Sequence, residues 1–195
     1  MGIVAFLDRD GVLNVERKDY VKSWDEFQWL PGAQESVAFL NSNHIPVYII
    51  SNQSAVCRGI ISIDMLHTIH RALQNELQKK GAHIDGIYVC PHAPEMRCAC
   101  RKPEPGLFLQ AAKEHHITLS DAWFIGDSKT DLLAGKRAGT HVILIRTNQN
   151  NIDSNDELAA DYTCNSLAEA VDFLIKNYNS PQRREDAEEN IKNFN

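Results

Sequence analysis

Residues 6–14, FLDRDGVLN, carry a short apolar run straight into two aspartates, Asp8 and Asp10, which Gly11 follows. A carboxylate at the end of a buried strand costs free energy unless something compensates its charge. In an extended chain, residues two apart face the same way, so both carboxylates point to one place. The glycine permits a tight turn directly after them. We therefore expect a cation, a reaction, or both at this position.

Three further polar clusters follow predicted strands or precede predicted helices. They are SNQS, RKPEPG and GDSKTD, and their candidate functional residues are Ser51, Asn52, Gln53, Ser54, Arg101, Lys102, Asp127 and Asp131. Several carboxylates in one place repel each other unless a hard cation lies among them. Mg²⁺ prefers such an oxygen shell, completed by water and by a phosphate oxygen of a substrate. A lysine and a small hydroxyl opposite the carboxylates would then hold the remaining phosphate oxygens.

A second candidate metal site follows the pattern C-x-H-x₅-C-x-C, which comprises Cys90, His92, Cys98 and Cys100. Three thiolates and one imidazole make a tetrahedral zinc set, and with no position left for water the predicted site is closed and structural. The alternatives are a reduced buried cluster without metal, or a redox pair. The remaining cysteines, Cys57 and Cys164, are expected to be small core residues.

The elements that must position these residues alternate along the chain. Near-continuous apolar runs predict five strands of a sheet covered on both faces, at 3–7, 47–51, 86–90, 122–127 and 141–146. Apolar residues at helical spacing predict a helix after Pro31 and another that ends near Gly81, and two more helices are predicted at 103–115 and 129–138. The sequence therefore predicts an α/β fold, a doubly wound parallel sheet that binds its ligands at the carboxyl ends of the strands.

Two long connections interrupt this alternation, at residues 14–30 and 90–106. Loops of this length in a compact domain are usually functional. In the first loop, Trp24, Phe27 and Trp29 either wall a substrate site or pack beneath the loop. No large cap domain is expected, so the loops themselves must cover the site, which favours hydrolysis over transfer to another acceptor.

Length and charge limit the class of protein. The 195 residues predict one domain, residues 1–178, followed by a charged tail, residues 179–195. The net charge of −6 argues against a general nucleic-acid binder and against docking on anionic lipid. No apolar run approaches the ~20 residues of a membrane span, and the first residues do not match a signal peptide. We expect a cytoplasmic monomer that binds neither nucleic acid nor membrane.

DRDGVLN, SNQS, RKPEPG and GDSKTD resemble, in order, the four motifs of the haloacid-dehalogenase-type phosphatases, and they span residues 8–131. The cysteine-rich loop CPHAPEMRCACRKPEPG resembles the zinc-bearing branch of that family, which includes heptose bisphosphate phosphatases and histidinol-phosphate phosphatases. SNQSAVCRG, CRKPEPG and YVKSWDEFQWLPGA look closer to the heptose enzymes. The resemblance implies a haloacid-dehalogenase-like fold without a large cap, a structural Zn²⁺ and a catalytic Mg²⁺.

The resemblance also implies roles for individual residues. Asp8 would be the nucleophile that forms an aspartyl-phosphate, and Asp10 would be the general acid and base. Asp8, the Asp10 carbonyl and Asp127 would bind Mg²⁺. Ser51 and Lys102 would stabilise charge on the transferring phosphoryl group. Substrate would contact two loops and the basic pair, that is Glu16, Arg17, Lys18, Asp19, Ser51, Asn52, Gln53, Ser54, Arg101 and Lys102.

One position departs from the pattern of the heptose enzymes, in which lysine is expected directly after the aspartate of the fourth motif. Here that position is Ser128, and the lysine follows as Lys129. Either Lys129 turns into the site or one phosphate contact is weaker. The sequence leaves two roles open for Asp131. It is either a supporting or metal-binding carboxylate of the site, or a carboxylate that only stabilises a helix N-terminus.

The implied substrate is a phosphorylated sugar, D-glycero-D-manno-heptose 1,7-bisphosphate. The enzyme would cleave it at the 7-phosphate in the synthesis of nucleotide-activated heptose for lipopolysaccharide core or S-layer precursors. The basic residues near the strand ends are more than one phosphate group needs, which indicates a second anionic group on the substrate. They are Arg9, Arg17, Lys18, Arg58, Arg101 and Lys102. The alternatives are histidinol phosphate, whose cationic amine suits a basic rim poorly, and a non-catalytic zinc-stabilised binding module, which would not need the nucleophile.

Overall fold

The computed structural model of the chain describes residues 2–147, 156 and 159–178. A six-stranded parallel sheet forms its centre, in the order β3-β2-β1-β4-β5-β6. The strands are β1 Val4–Leu7, β2 Val47–Asn52, β3 Gly86–Cys90, β4 Ala122–Gly126, β5 His141–Ile145 and β6 Tyr162–Cys164. The chain runs outward from β1 to β3, then returns to the other side of β1 with β4.

Five α-helices within the described residues cover the sheet. They are α1 Ala33–Ser42, α2 Ile63–Lys79, α3 Gly106–His115, α4 Lys129–Ala138 and α5 Leu167–Tyr178. Apolar residues of α1, α2 and α5 share one core with one face of the sheet, and those of α3 and α4 share another core with the opposite face. The fold is therefore a three-layer α/β/α arrangement.

Alternating side chains along each strand explain why both faces need helices. In β1, Ala5 and Leu7 belong to the first core and Phe6 to the second, and all three are fully buried. Successive residues of a strand point to opposite faces, so a continuous apolar run fits only a sheet covered on both sides. The prediction of a doubly wound α/β fold is confirmed.

Two elements were not predicted, β6 and α5. The strand is only three residues long and lies at the edge of the sheet, where an apolar run is not required. The helix does carry the spacing i, i+3, i+4, i+7 in Leu167, Ala170, Val171 and Leu174, all of which are buried. That pattern was available in the sequence. The predicted tail at 179–195 lies outside the described residues.

The first long connection, residues 14–30, contains only one short 3-10 helix, Trp24–Glu26. Trp24 stacks on Phe27 at 4.7 Å between ring centroids, and Trp29 packs edge-on against Phe27 at 5.0 Å. All three pack on the core of the α1 side, so packing beneath the loop is their role in this structure. No large cap domain interrupts the part of the chain described here. None of the described helices is both long and apolar enough to span a membrane.

Candidate active site

The strand order brings three of the predicted motifs together. β1, β2 and β4 are neighbours, and their carboxyl ends carry Asp8, Ser51 and Asp127. The direction of the connections reverses between β1 and β4, which is where doubly wound sheets open a crevice for ligands. These three residues line a cavity of about 1060 Å³. The loop that holds Arg101 and Lys102 forms another wall of the same cavity.

Lys102 joins two carboxylates at the base of this cavity. Its Nζ lies 2.9 Å from Asp8 Oδ1 and 2.7 Å from Asp131 Oδ1, and it donates a hydrogen bond to the Ile50 carbonyl at 2.9 Å. The residue is only 3% exposed. Burial alone would lower the pKa of Lys102, but the two carboxylates raise it above its ordinary value. The ammonium group is therefore charged and fixed in position beside Asp8.

Three carboxylates surround one point of the cavity. Asp8, Asp127 and Asp131 each offer a carboxylate oxygen, and these atoms lie within 4.8 Å of one another. Burial, and after it the neighbouring carboxylates, raises the pKa of Asp8 to about 7 and that of Asp127 to about 9. Such a set is costly while all members are ionised, and a divalent cation removes the cost. The donors are all oxygen, so the residues present fit Mg²⁺.

Glycine makes this convergence possible at two positions. Gly11 has φ +84°, and a Cβ there would stand 1.9 Å from Asp127 Oδ2. A Cβ on Gly126 would stand 2.4 Å from the Cβ of Asp131. Gly11 therefore lets the first motif approach the fourth, and Gly126 lets Asp131 lie close against the end of β4 within the fourth motif.

Asp10 points into a different set of contacts from Asp8. Arg9 Nη2 lies 2.9 Å from both of its carboxylate oxygens, Asn14 Nδ2 donates to Oδ1 at 2.8 Å, and Gln53 Nε2 donates to Oδ2 at 2.7 Å. Burial would raise the pKa of Asp10, but Arg9 and the two amides together hold it below its ordinary value. Gln53 also donates to Ser51 Oγ at 2.9 Å, which links the first motif to the second.

The fourth motif is arranged around Asp131. Its Oδ2 accepts hydrogen bonds from the Asp127 and Ser128 amides and from Ser128 Oγ, at 3.2, 3.1 and 2.7 Å. Ser128 Oγ accepts in turn from the Asp131 amide, which completes a capping box at the start of α4. Asp131 therefore does more than favour a helix N-terminus, because its other oxygen contacts Lys102. Lys129 forms an ion pair with Asp156 at 2.8 Å and does not line the cavity.

The predicted zinc ligands converge at the end of β3. The Sγ atoms of Cys90, Cys98 and Cys100 lie 3.3 to 3.5 Å apart, and His92 Nδ1 lies 3.3 Å from Cys100 Sγ and 3.6 Å from Cys90 Sγ. These separations exceed the disulfide bond length of about 2.05 Å. A tetrahedral site with metal–sulfur bonds of about 2.3 Å has edges of about 3.8 Å, within a few tenths of an ångström of this arrangement. The donor set fits zinc in chemistry and in shape.

The loop that carries this cluster continues into Arg101 and Lys102, and hydrogen bonds hold both residues in place. Arg101 Nη1 donates to the His92 carbonyl at 3.0 Å, and Lys102 exchanges two hydrogen bonds of 3.1 Å with the side chain of Asn52. Of the other cysteines, Cys164 is buried as expected, but the prediction for Cys57 was wrong. Cys57 is exposed, because it lies on the loop between β2 and α2 rather than on a core-facing element.

The predicted substrate loop lines the cavity only in part. Glu16, Arg17 and Lys18 line it, whereas Asp19 does not. Arg17 is held by Asp19 at 3.1 Å, so it is already engaged. Lys18 has no ion pair among the described residues.

Sequence reasoning missed Arg97, which lines the cavity from the cysteine loop and is likewise without an ion pair in the described part of the chain. Its φ of +45° is unusual for a residue other than glycine. The signal in the sequence was its place next to Cys98, inside the predicted zinc loop. Ser54 and Asn52 also line the cavity.

The chain is similar in sequence to a known family and to individual known proteins. A family model described as HAD-hydrolase-like matches residues 99–170. The chain is 39% identical over 170 residues to the D-glycero-β-D-manno-heptose-1,7-bisphosphate 7-phosphatase of Helicobacter pylori strain J99, covering 87% of this chain and 95% of that protein. It is 36% identical over 144 residues to the enzyme of the same name from Pseudomonas aeruginosa PAO1, covering 74% and 81%.

Solved structures give a consistent result. The D,D-heptose 1,7-bisphosphate phosphatase of B. bronchiseptica, complexed with magnesium and phosphate, superposes with a TM-score of 0.82 at 33% identity, covering 91% of this chain and 99% of that one. The D,D-heptose 1,7-bisphosphate phosphatase of Burkholderia thailandensis superposes with a TM-score of 0.63 at 28% identity, covering 89% and 99%.

Proposed function

Because the chain belongs to the family of D-glycero-β-D-manno-heptose-1,7-bisphosphate 7-phosphatases, we propose that it hydrolyses the 7-phosphate of that sugar bisphosphate. The observation that carries the proposal is the pair formed by Asp8 and Lys102, 2.9 Å apart at the base of a cavity with a basic rim. A nucleophilic carboxylate beside a fixed ammonium group is what phosphoryl transfer requires.

We propose that Asp8, Asp127 and the Asp10 carbonyl bind Mg²⁺, and that Cys90, His92, Cys98 and Cys100 bind a structural Zn²⁺; Asp131 extends the oxygen set. Bound Mg²⁺ supplies positive charge between an anionic nucleophile and an anionic phosphate. The raised pKa values of Asp8 and Asp127 support this proposal, because they show that a negative charge on either carboxylate is unfavourable here without a cation.

In the first step, Asp8 Oδ attacks phosphorus and the bond to the sugar oxygen breaks, which gives an aspartyl-phosphate and the sugar alcohol. Lys102 and Ser51 contact the phosphoryl oxygens and stabilise their charge. Asp10 gives a proton to the leaving oxygen. Its pKa is low in this structure, but a phosphate dianion placed beside it would raise that pKa by like-charge repulsion.

In the second step, water attacks the phosphorus of the aspartyl-phosphate. Asp10, now a carboxylate, removes the proton of the water, and Asp8 is regenerated as inorganic phosphate departs. Gln53 and Asn14 keep the Asp10 carboxylate oriented through their hydrogen bonds to its two oxygens. The same side chain therefore acts as acid and then as base in one cycle.

The phosphate that remains on the sugar needs its own cations. Lys102 lies beside the nucleophile and serves the phosphoryl group that is cleaved, and Arg17 is paired with Asp19. Lys18 and Arg97 line the cavity without an ion pair among the described residues, so we propose that they receive the 1-phosphate, together with Arg101. Exposed cations of this kind bind a phosphate group without first breaking an internal contact.

We further propose that the enzyme is a cytoplasmic monomer that binds neither nucleic acid nor membrane. All catalytic and metal-binding candidates come from one chain. A zinc site with three thiolates needs reduced cysteines, which the cytosol maintains. The net charge of −6 disfavours binding to phosphate backbones or anionic lipid.

The test is a phosphate-release assay on four substrates, both anomers of the heptose 1,7-bisphosphate, histidinol phosphate and fructose 1,6-bisphosphate. We expect the β-anomer to have the highest kcat/KM, at least ~10-fold above histidinol phosphate. Asp8→Asn, purified in the same way, is the control for contaminating phosphatases. A higher kcat/KM for histidinol phosphate would contradict the substrate assignment.

A further inference from the structure

Arg9 lies between the two catalytic aspartates in sequence, yet its side chain is 1% exposed and does not reach solvent. Its guanidinium group contacts Asp10 through Nη2 and the His70 ring through Nη1, at 2.9 and 3.3 Å. Its Nε is buried and has no hydrogen-bond partner. A buried cation with so few partners depends strongly on each of them.

His70 reaches this arginine from α2, the helix that follows the second motif. The histidine is buried on the same helix face as Leu66, Ile69 and Leu73. Burial, and after it the charge of Arg9, lowers the pKa of His70 to about 3, so the ring is neutral. A neutral ring whose Nε2 faces an N–H donor accepts through that atom and carries its proton on Nδ1.

The contact therefore fixes the far end of the arginine. The Asp10 pair constrains Nη2, and His70 constrains Nη1, so the plane of the guanidinium group is set from two sides. Without His70, Nη1 would lose its acceptor in a buried place, and the group would turn or draw in water. Asp10 would then lose the donor that lies against both of its oxygens.

We propose that His70 is a positioning residue for catalysis, which holds Arg9 so that Arg9 holds Asp10 in line with the leaving group. The inference rests on the proposed function, because it takes Asp10 to be the general acid. It assigns a function to a buried histidine of α2 that does not line the cavity and touches no substrate.

This role predicts a dependence on the leaving group. A sugar alcohol is a poor leaving group and needs the proton of Asp10, whereas p-nitrophenolate leaves without one. The steps up to formation of the aspartyl-phosphate determine kcat/KM. Misplacement of Asp10 should therefore lower kcat/KM for the sugar phosphate much more than for p-nitrophenyl phosphate. A merely structural defect would lower both alike.

The experiment compares His70→Leu, which has no acceptor, and His70→Met, which has only a weak thioether acceptor, with His70→Gln, which restores a strong acceptor through Oε1. The exposed His67, one turn earlier on α2, supplies the control His67→Leu. We expect the apolar variants to lose about 10- to 100-fold in kcat/KM on the heptose bisphosphate, less than the ~100- to 10,000-fold of general acid catalysis as a whole, because Asp10 is misplaced and not removed. On p-nitrophenyl phosphate they should lose less than about threefold, and His70→Gln should recover most of the loss.

Two results would overturn the inference, an equal loss on both substrates and no loss on either. A thermal melt shows whether each variant folds. Because there are two apolar variants, the comparison can still be made if one of them does not fold. If the wild-type enzyme does not hydrolyse the heptose bisphosphate but does hydrolyse glycerol phosphate, the proposed function is contradicted and the inference about His70 is not. The losses in kcat/KM of the His70 variants would then be compared between glycerol phosphate and p-nitrophenyl phosphate.

Discussion

A methyl group at Gly11 should inactivate the enzyme through Asp127. Gly11→Ala places a Cβ 1.9 Å from Asp127 Oδ2, and ordinary contact begins at 3.4 Å, so the carboxylate must move by about 1.5 Å. Displacement of a catalytic group by about 1 Å can cost ~100-fold in rate. We therefore expect kcat to fall at least ~100-fold, with a higher Mg²⁺ concentration needed for half-maximal activity.

Gly11→Ala also strains the backbone, and the effect of this strain must be measured apart from the effect of the clash with Asp127. Gly11 has φ +84°, a region that costs an alanine roughly 1–2 kcal/mol. Gly81, after α2, has φ +70°, and a Cβ added there would meet nothing within 4 Å, so Gly81→Ala brings the strain without the clash. Gly81→Ala should lose about 1–2 kcal/mol in free energy of unfolding by urea titration, and Gly11→Ala should lose at least as much, because it adds the clash to the strain. Only Gly11→Ala should lose activity.

The assay is steady-state phosphate release as a function of Mg²⁺, with a urea titration of each variant. Gly11→Ala that keeps more than half of the wild-type kcat would refute the reasoning, because Asp127 would then be dispensable or free to move. Equal losses of activity in the two variants would show that backbone strain, and not the position of Asp127, limits the rate.

Three further predictions follow from the same geometry. Lys102→Met should lower kcat by about 10²–10³, the usual loss on removal of one stabilising donor, as measured by initial rates. Cys100→Ser should lower the zinc content measured by elemental analysis and reduce kcat at least ~10-fold by loosening the loop of Lys102, whereas Cys57→Ser should change neither. Arg97→Ala should raise KM for the bisphosphate about two- to fivefold, the range of an exposed ion pair, and leave KM for a monophosphate unchanged.

Most of the residues that line the candidate site could be predicted from the sequence because they lie in short contiguous motifs at strand ends. Asp8 follows the buried residues 5–7 directly and Asp10 comes two residues later, and the parallel sheet brings Asp127 to the same edge. Five of the six strands and most helix boundaries follow from apolar periodicity within a few residues. The predicted strand at 122–127 ends one residue earlier in the structure, at Gly126, and 141–146 ends at Ile145.

Contacts between distant segments could not be predicted in this way. The pairing of Arg9 with His70 joins residues 61 positions apart. The helical spacing of Leu66, Ile69 and Leu73 places His70 on the buried face of α2, but nothing local indicates that it meets Arg9 there. The capture of Lys129 by Asp156 likewise depends on how the chain after β5 packs. Cys57 was misplaced because a single small residue carries no periodicity that indicates whether it faces the core.

The central claim is that Asp8 cleaves the 7-phosphate of the heptose bisphosphate, and ³¹P NMR of the reaction tests it most directly. With wild-type enzyme, Mg²⁺ and D-glycero-β-D-manno-heptose 1,7-bisphosphate, the 7-phosphate signal should disappear while inorganic phosphate grows and the 1-phosphate signal persists. Asp8→Asn should leave both sugar phosphates intact over the same time. Loss of the 1-phosphate first, or turnover by Asp8→Asn at a rate near that of wild type, would contradict the account.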